Sequence, residues 1–399
     1  MLLRLIAAAL TAVLLTSTAS PEEHWWLDDL GFSQTSLDGS GVRVAVIDTG
    51  IDDDHPDLAG MVIAGADFSG IGTPSGTVPV GPGAFHGTMV SSLIAGQGRI
   101  TSGVMGIAPR VELLAISVGL GVSGADTDNQ VAQAIVWAVD NGASVINLSL
   151  SRNSERWPAA WDEAFLYAFE NDVVIVAASG NREAQGYATA PATIPGVLSV
   201  TAVDRGGNVN SSAGASGVGI SVAAPGIDML GSFPGGEIKT WEGSSAAAPI
   251  VTGLVALMRQ SDPVASANDI IQRVISTAVD LGDPGFDGVY GHGLIDPLAA
   301  IDSNLQSDAN PLGSLERWID LYRAENQAED EAELIVPTLP GVEAPDESSE
   351  PEPEIQEADP GPNPLTYLLL PIALLLVVLL FNSLRLGKRK LARTTKEGS

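Results

Sequence analysis

Val42-Arg43-Val44-Ala45-Val46-Ile47 is a short, almost wholly apolar run closed by Asp48-Thr49-Gly50. A β-branched run of that length, bounded by a turn signal, reads as a buried strand. The pattern returns at Val111 to Val118, Ser144 to Leu150, Val173 to Ala178 and Val197 to Val203. Helical stretches such as Asn129 to Asn141 and Trp161 to Asn171 lie between them. Strands that are apolar along their whole length and alternate with helices imply an α/β fold of three layers, with a mainly parallel central sheet covered on both faces.

Composition narrows the partners. The 399 residues include 49 Asp plus Glu against 19 Lys plus Arg, a formal charge of −30. That balance argues against nucleic acid, whose phosphates need a net basic face. Hydrophobic residues make up 45%, too many for a chain disordered throughout. The absence of cysteine excludes disulfides, a thiolate nucleophile and Cys-ligated zinc.

Both ends read as membrane-directed. Residues 1–20 form a signal peptide: Arg4, the apolar stretch Leu5 to Leu15, then Ser17, Thr18, Ala19 and Ser20. An uncleaved anchor is the weaker reading, since the stretch is short for a span. Residues 365–384 form a transmembrane helix, almost wholly aliphatic to Phe381. The basic tail 385–399 follows, with Arg385, Lys388, Arg389, Lys390 and Arg393 on the cytoplasmic side. A globular domain, 21–305, then faces the outside of a cell membrane crossed once. Residues 306–364 make an acidic Pro/Glu-rich stalk. Leu315, Trp318, Ile319 and Tyr322 give it the apolar stripe of a short helix within Leu312 to Ile335. From Ser307 to Pro360 acidic residues outnumber basic ones 16 to 2, so the stalk carries about half of the net charge. It reads as a solvated spacer rather than an acidic docking tail.

Four features of the 21–305 domain carry chemistry. Asp48 stands at the carboxyl end of its strand, where open α/β sheets place ligand and catalytic groups, although a lone Asp there more often caps a turn. His86, in Gly83-Ala84-Phe85-His86-Gly87-Thr88, opens a helical run and is a candidate base among only four histidines. Glu242-Gly243-Ser244-Ser245-Ala246-Ala247-Ala248-Pro249 puts serines among small residues at the start of an apolar helix. The Ser245 backbone N–H there can meet an oxyanion. Ser179-Gly180-Asn181 follows a strand and offers an amide as a second donor.

In chain order, Val-Ile-Asp48-Thr-Gly, His86-Gly-Thr, Ser-Gly-Asn181 and Gly-Ser-Ser245-Ala-Ala-Ala-Pro resemble the subtilisin-like serine proteases, the subtilase family. Asp54-His55-Pro56-Asp57-Leu58, Gly106-Ile107-Ala108-Pro109 and Tyr290-Gly291-His292-Gly293 add to the likeness, which runs from about Trp25 to Ala300. The resemblance implies a serine endopeptidase with Ser245 as nucleophile, His86 as general base and Asp48 orienting the imidazole. Asn181 and the Ser245 N–H would hold the oxyanion. Ser244, the rival hydroxyl, aligns with the family's Thr before its nucleophile. Substrate would pair as an added strand between Ser123-Gly124 and Leu150-Ser151, with Ala178 and Gly180 lining the pocket before the cut.

Departures from the family pattern accompany these matches. Ser151 replaces a common Gly, Met89 a common His, and Ala246 and Ile250 the usual Met and His. No cofactor or metal is expected. Calcium stays open only through Asp57, which matches one ligand position, because Gly96 to Gly103 lacks the family's Asn-rich ligand set. The short N-terminal segment, Pro-rich linker and C-terminal anchor look like mycosins, membrane-anchored subtilases of type VII secretion, although mycosins commonly hold disulfides that this chain cannot form. That likeness implies exported or cell-envelope proteins as substrates and secretion-complex subunits as partners. The alternatives are a structural subunit of such a complex with dispensable proteolysis, and an esterase using the same triad.

Overall fold

Alternate residues of β1 (Arg43–Asp48) serve two separate cores. Val44 and Val46 join one hydrophobic cluster, Ala45 and Ile47 the other, because successive strand residues point to opposite faces. The computed structural model describes residues 23–100, 103–181, 186–209 and 214–331. The expected signal peptide at 1–20 and the span at 365–384 lie outside them. Among the described residues no helix is long and apolar enough to cross a membrane. All described residues belong to one compact unit that ends at Glu333.

Six more strands flank β1 in one sheet: β2 (Val62–Asp67), β3 (Glu112–Ser117), β4 (Val145–Leu148), β5 (Val174–Ala178), β6 (Leu198–Val203) and β7 (Val222–Pro225). Their order is β2-β3-β1-β4-β5-β6-β7, and every neighbouring pair is parallel. Parallel pairing sends each connection over a face of the sheet, which buries both faces. An antiparallel hairpin of β8 (Met229–Phe233) and β9 (Glu237–Trp241) stands apart from that sheet.

The helices are α1 (Trp25–Asp29), α2 (His86–Ala95), α3 (Thr127–Asp140), α4 (Ala159–Glu170), α5 (Ser244–Ser261), α6 (Ala267–Thr277), α7 (Pro297–Asp302) and α8 (Leu315–Glu331). Apolar residues of α2, α5 and α6 fill the Val44/Val46 core, and those of α3 and α4 fill the other. Leu315 of α8 is buried in that second core, Trp318 packs on Trp157 at 4.3 Å, and Arg323 bonds Asp162 at 2.7 Å.

α5 positions the site. From Ser244 to Arg259 every residue is buried except Ser245. A helix apolar all round belongs inside a core, so Ser245 marks the one place where its first four turns open outward.

Candidate active site

Asp48 is fully buried at the carboxyl end of β1, and its Oδ1 accepts the Thr49 N–H at 2.7 Å. Both carboxylate oxygens lie against His86 Nδ1, at 2.9 and 2.8 Å. His86 is the first residue of α2, and two glycines let that helix start abut the strand end. A Cβ at Gly87 would run into the Gly50 carbonyl oxygen, while the Gly87 N–H bonds Thr49 Oγ1 at 3.1 Å. Gly50 has φ +93°, a conformation open to glycine at little cost.

Because Nδ1 faces a carboxylate it carries the proton, and Nε2 is the acceptor of the neutral ring. Burial draws the His86 pKa down, while the charge and hydrogen bond of Asp48 raise it; the net result lies above the ordinary histidine value. The ring remains 24% exposed, and Trp241 of β9 meets it edge-on at 5.7 Å.

Ser245 is seated by reciprocal bonds to Ser149. Pro249, four residues on, has no N–H for the Ser245 carbonyl, so α5 loses one rung there. Ser149 Oγ supplies the missing donor at 3.0 Å. In return Ser245 Oγ donates to the Ser149 carbonyl at 3.1 Å. Asn147 donates to Ser149 Oγ at 3.0 Å and accepts from Thr252 at 2.9 Å, which ties β4 to α5.

Asn181 follows β5 beside the same helix start. Its Oδ1 accepts the Ser244 N–H at 3.0 Å, a first-turn donor with no partner inside the helix. That bond fixes which end of the amide faces the helix and leaves the NH2 group for another acceptor. Gly243, the cap of α5, has φ +134°, and a Cβ there would sit 3.1 Å from the Asn181 amide. Ser244 is buried: its hydroxyl accepts the Gly180 N–H at 3.1 Å and lies 2.9 Å from the Gly180 carbonyl oxygen.

The remaining expected residues take varied positions. Ser123, Gly124 and Ser151 are exposed, and Leu150 is buried. Ala178 belongs to the Val44/Val46 core, and Gly180 is buried with φ +99°. His55 is held through both ring nitrogens, by the Asp57 N–H and the Glu237 carbonyl, each at 3.2 Å. Among the described residues no group of three or more His, Asp or Glu side chains is disposed to hold a metal. Ser149 and Trp241 emerge as site neighbours only in three dimensions. Pro249 at the fourth position after Ser245 is a sequence signal that the Ser245 carbonyl needs another donor, without naming Ser149 as that donor.

A parallel α/β sheet, a buried Asp paired with a His at its carboxyl end and a partly exposed serine on an otherwise buried helix start are the features that serine peptidases combine. The sequence profile of the Subtilase family matches residues 39–293, and the chain belongs to that family of serine-type peptidases. It is 34% identical to fervidolysin of Fervidobacterium pennivorans over 74% of its length and 45% of that protein's. It is 39% identical to subtilisin Savinase of Lederbergia lenta over 66% of its length and 92% of that protein's. The chain thus spans about half of fervidolysin and nearly all of Savinase. The solved structure of MycP3, a protease from the type VII (ESX-3) secretion system, superposes with a TM-score of 0.59 at 30% identity. It covers 73% of this chain and 90% of MycP3. The subtilisin-like fold and the mycosin likeness expected from the sequence therefore stand.

Proposed function

We propose that the chain is a membrane-tethered endopeptidase that hydrolyses peptide bonds of exported or cell-envelope proteins through an acyl-enzyme on Ser245. The observation that carries this reading is the Asp48–His86 pair together with Ser245, the one partly exposed residue between Ser244 and Arg259 of α5.

Ser245 Oγ turns from the Ser149 carbonyl towards His86 and attacks the scissile carbonyl carbon while Nε2 takes its proton. The new oxyanion lies between the Asn181 NH2 and the Ser245 N–H, each donor worth about 3–4 kcal/mol in the transition state. Asp48 holds the imidazolium. His86 then returns the proton to the leaving nitrogen as the C–N bond breaks, and water repeats the sequence to release the acid. The turn of Ser245 also frees the Ser149 carbonyl just past the end of β4, where a substrate N–H pairs as in strand addition. Likeness to MycP3 supports association with a secretion complex, and the apolar 365–384 stretch supports tethering.

The test compares the N-termini of exported proteins in cells making the full chain or its Ser245→Ala variant. New N-termini present only with Ser245 are expected; identical sets would overturn the proposal. Deleting 365–399 should leave cleavage chemistry intact while native processing falls.

A further inference from the structure

Subtilases suggest a calcium ion beside Asp57, and the residues around that carboxylate decide whether one fits. Asp57 is fully buried. Its Oδ1 accepts the Arg99 N–H at 2.8 Å, and its Oδ2 accepts the Val104 N–H at 2.8 Å and the Ser232 hydroxyl at 3.0 Å. Three donor hydrogens, two from the loop after α2 and one from β8, therefore point at the oxygens a cation would need. Calcium wants six to eight oxygen ligands. Here Gly103 packs so closely that a Cβ would lie 2.6 Å from Asp57 Oδ1.

The loop after α2 also brings a positive charge of its own. The Arg99 guanidinium donates to the Ala59 carbonyl at 2.7 Å, taking a backbone oxygen from the Asp57 turn. Gln97, the amide side chain of the described loop, donates to the Ala95 carbonyl at 2.9 Å and also to the Pro109 carbonyl. The donor set fits an anion held by N–H and O–H groups. It does not fit a metal.

We infer that Asp57 is an internal clamp that replaces calcium in this chain. It joins three parts of the scaffold: the turn after β1, the loop that follows α2, and β8 of the hairpin whose β9 presses Trp241 on His86. A buried carboxylate accepting charge-assisted bonds supplies the cross-link that an ion would otherwise make. The inference is independent of the catalytic reading, because it concerns folding and loop order.

The experiment uses the full chain in detergent, melted in excess EDTA and in millimolar calcium, with amide exchange at Arg99 and Val104 followed in both. Equal melting temperatures and equal protection are expected. A calcium-dependent rise of roughly 5–10 °C, the size produced by a site saturated a hundredfold, would overturn the clamp. Asp57→Asn replaces an acceptor with an NH2 that faces N–H groups. It should lower the melting temperature by an amount calcium does not restore; restoration would again overturn the clamp. If that variant does not fold, the wild-type comparison decides alone.

Discussion

Ser149 and Ser245 exchange two hydrogen bonds: each hydroxyl donates to the other's backbone carbonyl, at 3.0 and 3.1 Å. Pro249 creates the need for one of them by withholding its N–H from the Ser245 carbonyl. The pair holds the start of α5 against the end of β4, with the Ser245 hydroxyl occupied by the Ser149 carbonyl.

Ser149→Ala should leave the Ser245 carbonyl without its donor. An unsatisfied buried acceptor costs about 1–3 kcal/mol, so thermal or urea unfolding should show a loss of that size. An unchanged stability would mean that water replaces the hydroxyl.

Asn181→Asp separates capping from catalysis. The carboxylate still accepts the Ser244 N–H, so melting temperature should hold. It offers no NH2 and repels an oxyanion, so kcat on a peptide substrate should fall by roughly 10²-fold or more with little change in KM. Equal losses in stability and rate would assign Asn181 to the helix cap alone.

Protonation of His86 sets the acid limb of kcat/KM. The base works when neutral, and its pKa is raised, so activity should climb with pH through a midpoint above the ordinary histidine value. Replacing Asp48 by Asn removes the charge that raises the pKa and leaves the burial that lowers it. The limb should move to lower pH while the plateau falls by about 10⁴-fold, because the tautomer is no longer enforced. A pH–rate series on both proteins checks the direction.

His24 has the opposite sign. Burial lowers its pKa, against the charges of Glu23 and Asp57, and its Nε2 accepts the Met105 N–H at 3.0 Å. The unfolded chain therefore binds the proton first. Stability is full above the unfolded value near 6.5 and declines as pH falls below it. His24→Gln keeps an acceptor without the titration, so the drop in melting temperature between pH 7.5 and 5 should be smaller than in wild type.

Five strands of the sheet were legible because their runs are apolar on both faces, as central parallel strands must be. β2 was not, since it lies at the sheet edge, only partly buried, and carries Gly65 where a Cβ would strike the Ser75 carbonyl. β7 is four residues long and ends on Pro225, and β9 is largely exposed, so neither has a periodic signal. Asp48 and His86, 38 residues apart, were readable as a pair through their motifs, and the structure brings them into contact. The burial of Ser244 and the approach of Trp241 to His86 depend on packing between distant segments. Local pattern carries neither.

The proposed chemistry rests on Ser245 as the nucleophile. Treating the full chain with a fluorophosphonate and mapping the adduct by peptide mass spectrometry tests it most directly. One adduct is expected, on the peptide holding Ser245, absent from Ser245→Ala and slowed in Asp48→Asn. An adduct on Ser244 or elsewhere, or equal labelling of Ser245→Ala, would contradict it.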